Sequence, residues 1–408
     1  MLMNVALVKA LRCRPFAILW ASQTVSQVGN YFTEIAFAWL IVKMTGSPLA
    51  MGAALLFSRV PVLMLLLFGG VVVDRLRRAH VMLVADVVQG SAVLLLAWAA
   101  LSDDLAVWHI FAVKVLFGLA YAFYLPAYRA LVPEITPKEL LPSANSITTI
   151  ARQVASIIGP PLAGWVVAAG GTAAALGIDG LSYFFCAALL LFLLQMRTLP
   201  PSPTTNKPAS LWRDAIEGLR FVVTLPWLSL TIAVASLANM FIAPVNVLLP
   251  FLVESQLHLG ADGLGVFWGM FAAGSISAAT VSGSMGEQRR RGMRLYLASI
   301  FSGLLVILLS LTSTPISAFT IMLMLGFSTT VTSLILSNIL QSLVPQEKMG
   351  RVMSVVAFGE MSLSPIGIWL AAWYAEQVGV PMTFVIGGAG VVIMSALALF
   401  SPHIRRLD

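Results

Sequence analysis

Charge is scarce in this sequence. Only 10% of its 408 residues are Asp, Glu, Lys or Arg, against about 25% in soluble domains, which excludes an ordinary water-soluble fold. Cysteine is nearly absent too: Cys13 and Cys186 are the two present, too few and too far apart for a disulfide framework or a thiolate metal site. The four histidines, His80, His109, His258 and His403, show no ligand spacing. No GxxxxGK[ST] loop occurs, so nothing points to ATP hydrolysis, and neither a GxSxG elbow nor an HExxH helix is present. These absences argue against an enzyme and against a cofactor. The start, "MLMNVALVKALRCRPF", lacks the signal-peptide order of basic, apolar and small cleavable residues, so no cleavage is expected.

What remains is apolar. Hydrophobic residues make up 59% of the chain and the mean hydropathy is +0.94. Stretches of about 20 apolar residues, enough to cross a hydrocarbon core about 30 Å thick, recur from end to end. They predict twelve helices: 15–42, 48–73, 81–101, 106–130, 145–168, 172–196, 226–252, 262–283, 294–312, 315–342, 350–375 and 381–401. The net charge of +7 does not point to nucleic acid, because of how it is distributed. Of 24 basic residues, 20 fall in alternate connections or at the termini, as the positive-inside rule requires if both termini are cytosolic. Arginines at these ends anchor them near anionic lipid.

One break interrupts the helices. "RTLPPSPTTNKPASLW", Arg197 to Trp212, holds four prolines and reads as a linker. After it, Leu211, Ala215, Ile216 and Leu219 share one face of a short helix suited to the membrane surface. The predicted organisation is a six-helix bundle over residues 1–198, a cytosolic linker with an amphipathic helix over 199–225, and a second bundle over 226–408. The halves also repeat. Gly70, Asp74, Arg75 and Arg78 find counterparts in Gly283, Glu287, Gln288 and Arg291, and "ALVPE" from Ala130 finds "SLVPQ" from Ser342, at a nearly constant offset. A duplicated bundle about an axis along the membrane normal explains this.

"GVVVDRLRR", Gly70 to Arg78, resembles the signature loop of the major facilitator superfamily, with Arg77 where that pattern has Gly. "IIGPPLAGW" resembles the Gly-Pro motif of the drug/proton antiporters through Gly159, Pro160 and Gly164, with Ala163 replacing a Gly. "KVLFG" matches the fourth-helix motif with Lys114 for Arg. "LWASQTVSQVG", "APVNVLLPFLV", "GRVMSVVAFGEMSLSPIG" and "AEQVGV" are similar to segments of Mef-type macrolide-efflux proteins. The resemblance implies an all-α integral membrane protein with twelve transmembrane helices in two pseudo-symmetric six-helix bundles. It also implies a cavity lined by the first, fourth, seventh and tenth helices. Asp74, paired with Arg75 or Arg78, would meet the start of the eleventh helix near Gly350 and latch the cytosolic side shut.

Ionisable groups inside membrane helices are functional candidates by default. Glu34 and Arg59 lie about 17–20 Å below the turn at Thr45-Gly46, counting 1.5 Å per residue, and at that common depth they can pair. Burial and a nearby cation pull such an acid's proton occupancy in opposite directions, which makes Glu34 the first candidate proton carrier and Asp179 the second. Lys114 completes a cavity charge network with Arg59. Arg152 and Glu360 occupy equivalent places in the two halves and read as gate-stabilising groups, with Glu287 as the counterpart of Asp74. Asp86 is assigned to the cytosolic charges around Arg75 and Arg78.

The expected function is a monomeric secondary transporter in the cytoplasmic membrane of a bacterium. It would export small amphiphilic compounds in exchange for protons, in contact with membrane lipid and without nucleic acid. An uptake carrier or a lipid or siderophore translocator on the same fold is the alternative, and a non-transporting receptor a more distant one.

Overall fold

The structure, a computed structural model, describes residues 8–73, 75–196, 211–284 and 290–405. Among these the chain is helical and contains no strand. The elements are α1 Arg14–Thr45, α2 Pro48–Val73, α3 Arg78–Leu101, α4 Val107–Ile135, α5 Leu141–Gln195, α6 Leu211–Thr224, α7 Pro226–Phe241 and α8 Ala243–Ser255. They continue as α9 Ala261–Ser284, α10 Arg291–Ser310, α11 Pro315–Leu343, α12 Gln346–Ser362, α13 Ser364–Val378, α14 Val380–Leu399 and α15 Pro402–Arg405.

Proline and glycine set these boundaries. Proline stands in the first turn of α1, α5, α7, α8, α11, α13 and α14, where its missing N–H costs no hydrogen bond. Gly46 ends α1 in the left-handed conformation, φ 57°, which glycine adopts without strain. The fifth and sixth predicted spans run together as α5, with no connecting loop. Their junction is Gly171, at φ 79° and ψ 171°, a non-helical residue inside the run, so one glycine does the work of a turn. Conversely, the seventh predicted span is divided at Ile242 into α7 and α8, and the eleventh at Leu363 into α12 and α13. In both cases a proline, Pro244 or Pro365, follows the break and cannot extend the preceding helix.

Among the described residues, ten stretches are long and apolar enough to cross a membrane. One of them, Lys138–Gln195, holds both limbs of α5. With the more polar α1 added, twelve spans result. Trp98, Trp108, Trp165, Trp369 and Trp373 are all exposed and sit toward the helix ends remote from the basic connections, as interfacial anchors do.

The chain gathers into two compact units. The first comprises Met1–Gly46, Ala53–Asn206 and Leu259–Gly269; the second comprises Ser47–Gly52, Lys207–His258 and Met270–Asp408. The first packs Phe16, Leu19, Met82, Leu131 and Leu190 into one apolar cluster. The second has two clusters, one around Leu295, Tyr296 and Ile339 and one around Val222, Leu228, Leu340 and Val352.

Both units repeat one polar contact. Arg78, opening α3, donates to the Glu134 carboxylate at 2.5 Å and to the Ala130 carbonyl at 3.3 Å, both on α4. Arg291, opening α10, donates to the Ser342 hydroxyl on α11 at 3.1 Å. Ser342 is the repeat partner of Ala130, so the sequence duplication carries over into an equivalent side-chain contact.

The short α6 belongs to the second unit and is fastened there. Glu217 accepts an ion pair from Arg351 of α12 at 2.8 Å, Lys348 lies 4.2 Å over the Phe221 ring, and Val222 is buried among residues of α7, α11 and α12. The linker residues 197–210 lie outside the described residues.

Candidate functional site

The first unit concentrates charge within its spans. Lys114 on α4 is half-buried, with its ammonium 4.5 Å from the Phe37 ring of α1. It lies in the electrostatic fields of Glu34 and Arg59. Glu34 and Arg59 are exposed on their helices, and among the described residues Glu34 forms no direct ion pair. The expected Glu34–Arg59 bridge is therefore absent in this conformation; Glu34, Arg59 and Lys114 form a looser cluster spread over α1, α2 and α4. Phe37 also packs edge-on against Phe117, and Phe117 against Tyr183, walling one side with aromatic rings.

Arg152 joins this cluster. It is exposed on α5 and acts on Tyr31, which also feels Glu34, and on Tyr128. The structure thus groups it with the membrane-embedded charges of the first unit. Its assignment to the gate rested on symmetry with Glu360, whose side chain lies outside the description.

Asp179 stands behind the cluster, fully buried in the second limb of α5. Ser182 donates to its Oδ1 at 3.1 Å, while Oδ2 has no hydrogen-bond partner among the described residues. Buried Thr33, next in sequence to Glu34, lies close enough to interact with Asp179, and Glu34 acts on it through charge. Gly29 of α1 makes room for this arrangement: a Cβ there would collide with Asp179 Oδ1 and Ser182 Oγ. "GNYFTEIAF" thus places a glycine, a hydroxyl and an acid around one buried carboxyl. One turn further, Tyr183 donates to Asn30 Oδ1 at 2.8 Å.

Asp86 departs from its expected place. It is fully buried in α3, and both carboxylate oxygens lack a hydrogen-bond partner among the described residues. Its neighbours in charge are Tyr124, Tyr183 and Cys186, while Arg78 is committed to Glu134. The reason is periodicity: eight residues past Arg78, Asp86 sits more than two turns up α3 and beyond the reach of that arginine. Gln23 bonds to the Tyr124 hydroxyl and Cys186 to the Ser22 carbonyl. Tyr183 and Cys186 feel the charge of both Asp86 and Asp179, a convergence that leaves no signal in the sequence.

The Gly-Pro motif is a packing surface. A Cβ on Gly159 would strike the Tyr31 ring, and one on Gly164 the backbone at Ala261. In return, a Cβ on Gly265 would strike the Pro160 carbonyl, and one on Gly269 would meet Pro161 at 2.6 Å. Helices α5 and the start of α9 therefore touch backbone to backbone, as small residues permit in membranes.

Of the expected cytosolic gate, Arg75 is exposed after α2 and Arg78 is paired as above. Asp74 and Glu287 lie outside the described residues. Gly70 lies in α2 and Glu360 in α12, where the Glu360 side chain is not described. At the opposite end, Glu376 accepts from the Ser47 hydroxyl at 2.5 Å and the Leu49 N–H at 3.3 Å. It thereby caps the start of α2, and nothing in the residue pattern pointed to this contact.

With this geometry in hand, comparison with known proteins is informative. A family profile described as transmembrane secretion effector matches residues 6–408. Macrolide efflux protein A of Streptococcus pyogenes is 26% identical over 96% of this chain and 97% of its own. The multidrug efflux pump Tap of Mycolicibacterium fortuitum is 25% identical over 96% of each chain. The enterobactin exporter EntS of Escherichia coli is 25% identical over 98% of this chain and 94% of its own. Among solved structures, a POT family transporter shares the fold at a TM-score of 0.74 and 12% identity, covering 96% of this chain and 97% of that one. The nucleoside transporter NupG does so at 0.71, covering 95% and 99%. The relatives are membrane transporters of small molecules rather than enzymes, and the chain is a multi-pass membrane protein. It belongs to the transmembrane secretion effector family of the major facilitator superfamily.

Proposed function

We propose that this protein exports amphiphilic compounds across a bacterial cytoplasmic membrane by exchange for protons, as a monomer with both termini in the cytosol. The observation that carries the reading is the charge cluster of Glu34, Arg59 and Lys114 with Asp179 buried behind it. A scaffold or receptor gains nothing from four ionisable groups held within its spans, since each is costly in hydrocarbon. A carboxyl with one buried oxygen lacking a donor gains a partner when a proton or a cation arrives, so its occupancy can change the packing around it. In this scheme Glu34, being exposed, exchanges protons with water, and Asp179 responds through Thr33. Lys114 and Arg59 supply the charge that competes with the proton. The likeness to efflux proteins with macrolide, multidrug and enterobactin cargo supports export over uptake, and a large, partly apolar cargo over a small ion.

The halves 1–198 and 226–408, joined by 199–225, are proposed as the moving bodies. Asp74 is proposed as the latch of the cytosolic side, with Gly70, Arg75 and Arg78 as further gate residues of the first half and Glu287 and Glu360 as those of the second. The test is transport into inside-out vesicles, measured across a panel of macrolides, siderophores and dyes with and without an imposed pH gradient. Gradient-dependent uptake of amphiphilic members is expected. Accumulation that ignores the gradient sinks the proton coupling, and accumulation only in right-side-out vesicles sinks export.

A further inference from the structure

The second unit contains a pocket of about 270 Å³ between α7, α10 and α11, with Val391 of α14 at its edge. Three helical stripes converge on it. Thr231, Ala235 and Asn239 recur at helical spacing on α7, with Ile242 at its C-cap, Leu295, Tyr296, Ser299 and Ser302 on α10, and Thr329, Thr332, Ser333 and Leu336 on α11. The lining is rich in hydroxyls and carries no charged side chain.

The hydrogen bonds show what the pocket offers. Thr231 donates to the Trp227 carbonyl at 2.7 Å, Thr329 to Leu325 at 2.8 Å and Thr332 to Ser328 at 3.0 Å. These hydroxyl protons are spent on their own helices; Thr231 Oγ1 already accepts from the Tyr296 hydroxyl at 3.4 Å, so the Thr329 and Thr332 oxygens present lone pairs to a guest. Asn239 and Ser333 make no hydrogen bond among the described residues and can both donate and accept. A guest must therefore bring O–H or N–H donors. An anion would lose its hydration with no cation to receive it, and a cation would find no carboxylate. Size narrows the guest further. Pockets that enclose whole drug-sized ligands hold about 300–1,000 Å³, so this one suits a single ring or side group. Apolar Val234, Leu295 and Leu336 supply surface for its carbon face.

We propose that this pocket binds an uncharged, hydroxyl- or amide-bearing part of the exported compound. The inference rests on the export reading above and adds a chemical class to its cargo. It also divides the work: the cargo's neutral polar group is recognised in the second unit, and coupling is handled by charges in the first.

Three fluorescent probes that differ only in charge test this on the full-length protein in lipid nanodiscs: 4-methylumbelliferyl β-D-glucoside, the corresponding glucuronide and the corresponding 2-amino-2-deoxyglucoside. The neutral glucoside is expected to bind saturably and about tenfold or more tighter than the anionic or cationic member. Thr332→Val and Asn239→Leu should each weaken the glucoside about 5- to 20-fold without changing the other two. Thr332→Ser, which keeps the hydroxyl, should restore binding and so separates recognition from misfolding. Equal binding of the glucuronide, no saturable binding of the glucoside, or indifference to both substitutions overturns the proposal. Export of a macrolide by the same protein, reconstituted into proteoliposomes, is measured in parallel. Export without glucoside binding discards this pocket alone, whereas glucoside binding without export of any panel member discards the export reading and leaves the pocket standing.

Discussion

The two units descend from one repeated pattern yet bury different chemistry. Among the described residues, the first unit buries two carboxyls, Asp86 and Asp179, and two carboxamides, Gln23 and Gln89. The polar side chains buried to the same degree in the second are all hydroxyls: Thr231, Ser236, Ser302, Ser310, Thr312, Ser328, Thr383 and Ser395. A buried hydroxyl in a helix satisfies itself on a carbonyl one turn back, as Ser302 does on Ala298 at 3.1 Å. A buried carboxyl has no such local remedy and must find donors, a cation or a proton elsewhere. The two units thus share a repeated contact but differ in their buried polar groups, with carboxyls and carboxamides in one and hydroxyls in the other.

The sharpest way to break this comparison is to give the second unit an acid. Ser302 is buried and bonded to Ser328 at 2.8 Å, with no cation in the surrounding pocket lining. Ser302→Asp should cost about 3–5 kcal/mol, the scale for an uncompensated buried charge, and appear as a large loss of folded protein in thermal-shift chromatography. Asp86→Asn and Asp179→Asn in the first unit should fold normally. Equal tolerance of all three would erase the distinction.

A smaller effect is expected from crowding the buried acid without touching any charge. Gly29→Ala forces a Cβ against Asp179 and Ser182, an overpacking worth about 1–3 kcal/mol. Gradient-driven export should fall severalfold while the protein remains monodisperse. Unchanged export would mean that Asp179 has freedom the packing does not suggest.

The repeated arginine contact sharpens the comparison further. Arg78 meets a carboxylate with both side chains mostly shielded, at 16% and 15% exposure. Arg78→Ala should therefore cost about 1.5–3 kcal/mol, read as a lowered thermal midpoint. An unchanged midpoint would show that this pair does not hold its unit together. Smallest of all is Glu217→Gln. Its pair with Arg351 is well exposed, at 37% and 41%, so a loss of 0–1 kcal/mol is expected; a larger loss would make α6 a structural keystone of its unit.

Much of this was legible in the residues. Apolar runs, basic connections and the offset repeat located the spans, because hydrocarbon admits few alternatives to a helix of about 20 residues. Prolines inside runs were harder to read. Pro160 and Pro161 leave α5 unbroken, whereas Pro244 and Pro365 coincide with breaks, a difference set by the neighbouring backbone. Of the candidate site, Glu34, Arg59, Lys114 and Asp179 stand out in the sequence because charge in a membrane helix is conspicuous. Asp86 was misplaced because its distance along the chain from Arg78 was taken for distance in space. The partnership of Gly29 with Asp179, and the convergence of hydroxyls from three helices, depend on packing between distant segments and leave no local signal.

Proton coupling is proposed to reside in the first unit, at Glu34 and Asp179. Its most direct test uses Glu34→Gln and Asp179→Asn in proteoliposomes with an imposed pH gradient and a radiolabelled macrolide. Uphill accumulation and gradient-free exchange are measured on the same preparation. Both substitutions should abolish uphill accumulation, by at least about tenfold, as expected when an intramembrane group of a proton relay is lost. Exchange should survive, because an amide imitates the protonated, uncharged acid. Normal uphill accumulation by both variants would contradict the claim and remove the first unit's acids from the coupling mechanism.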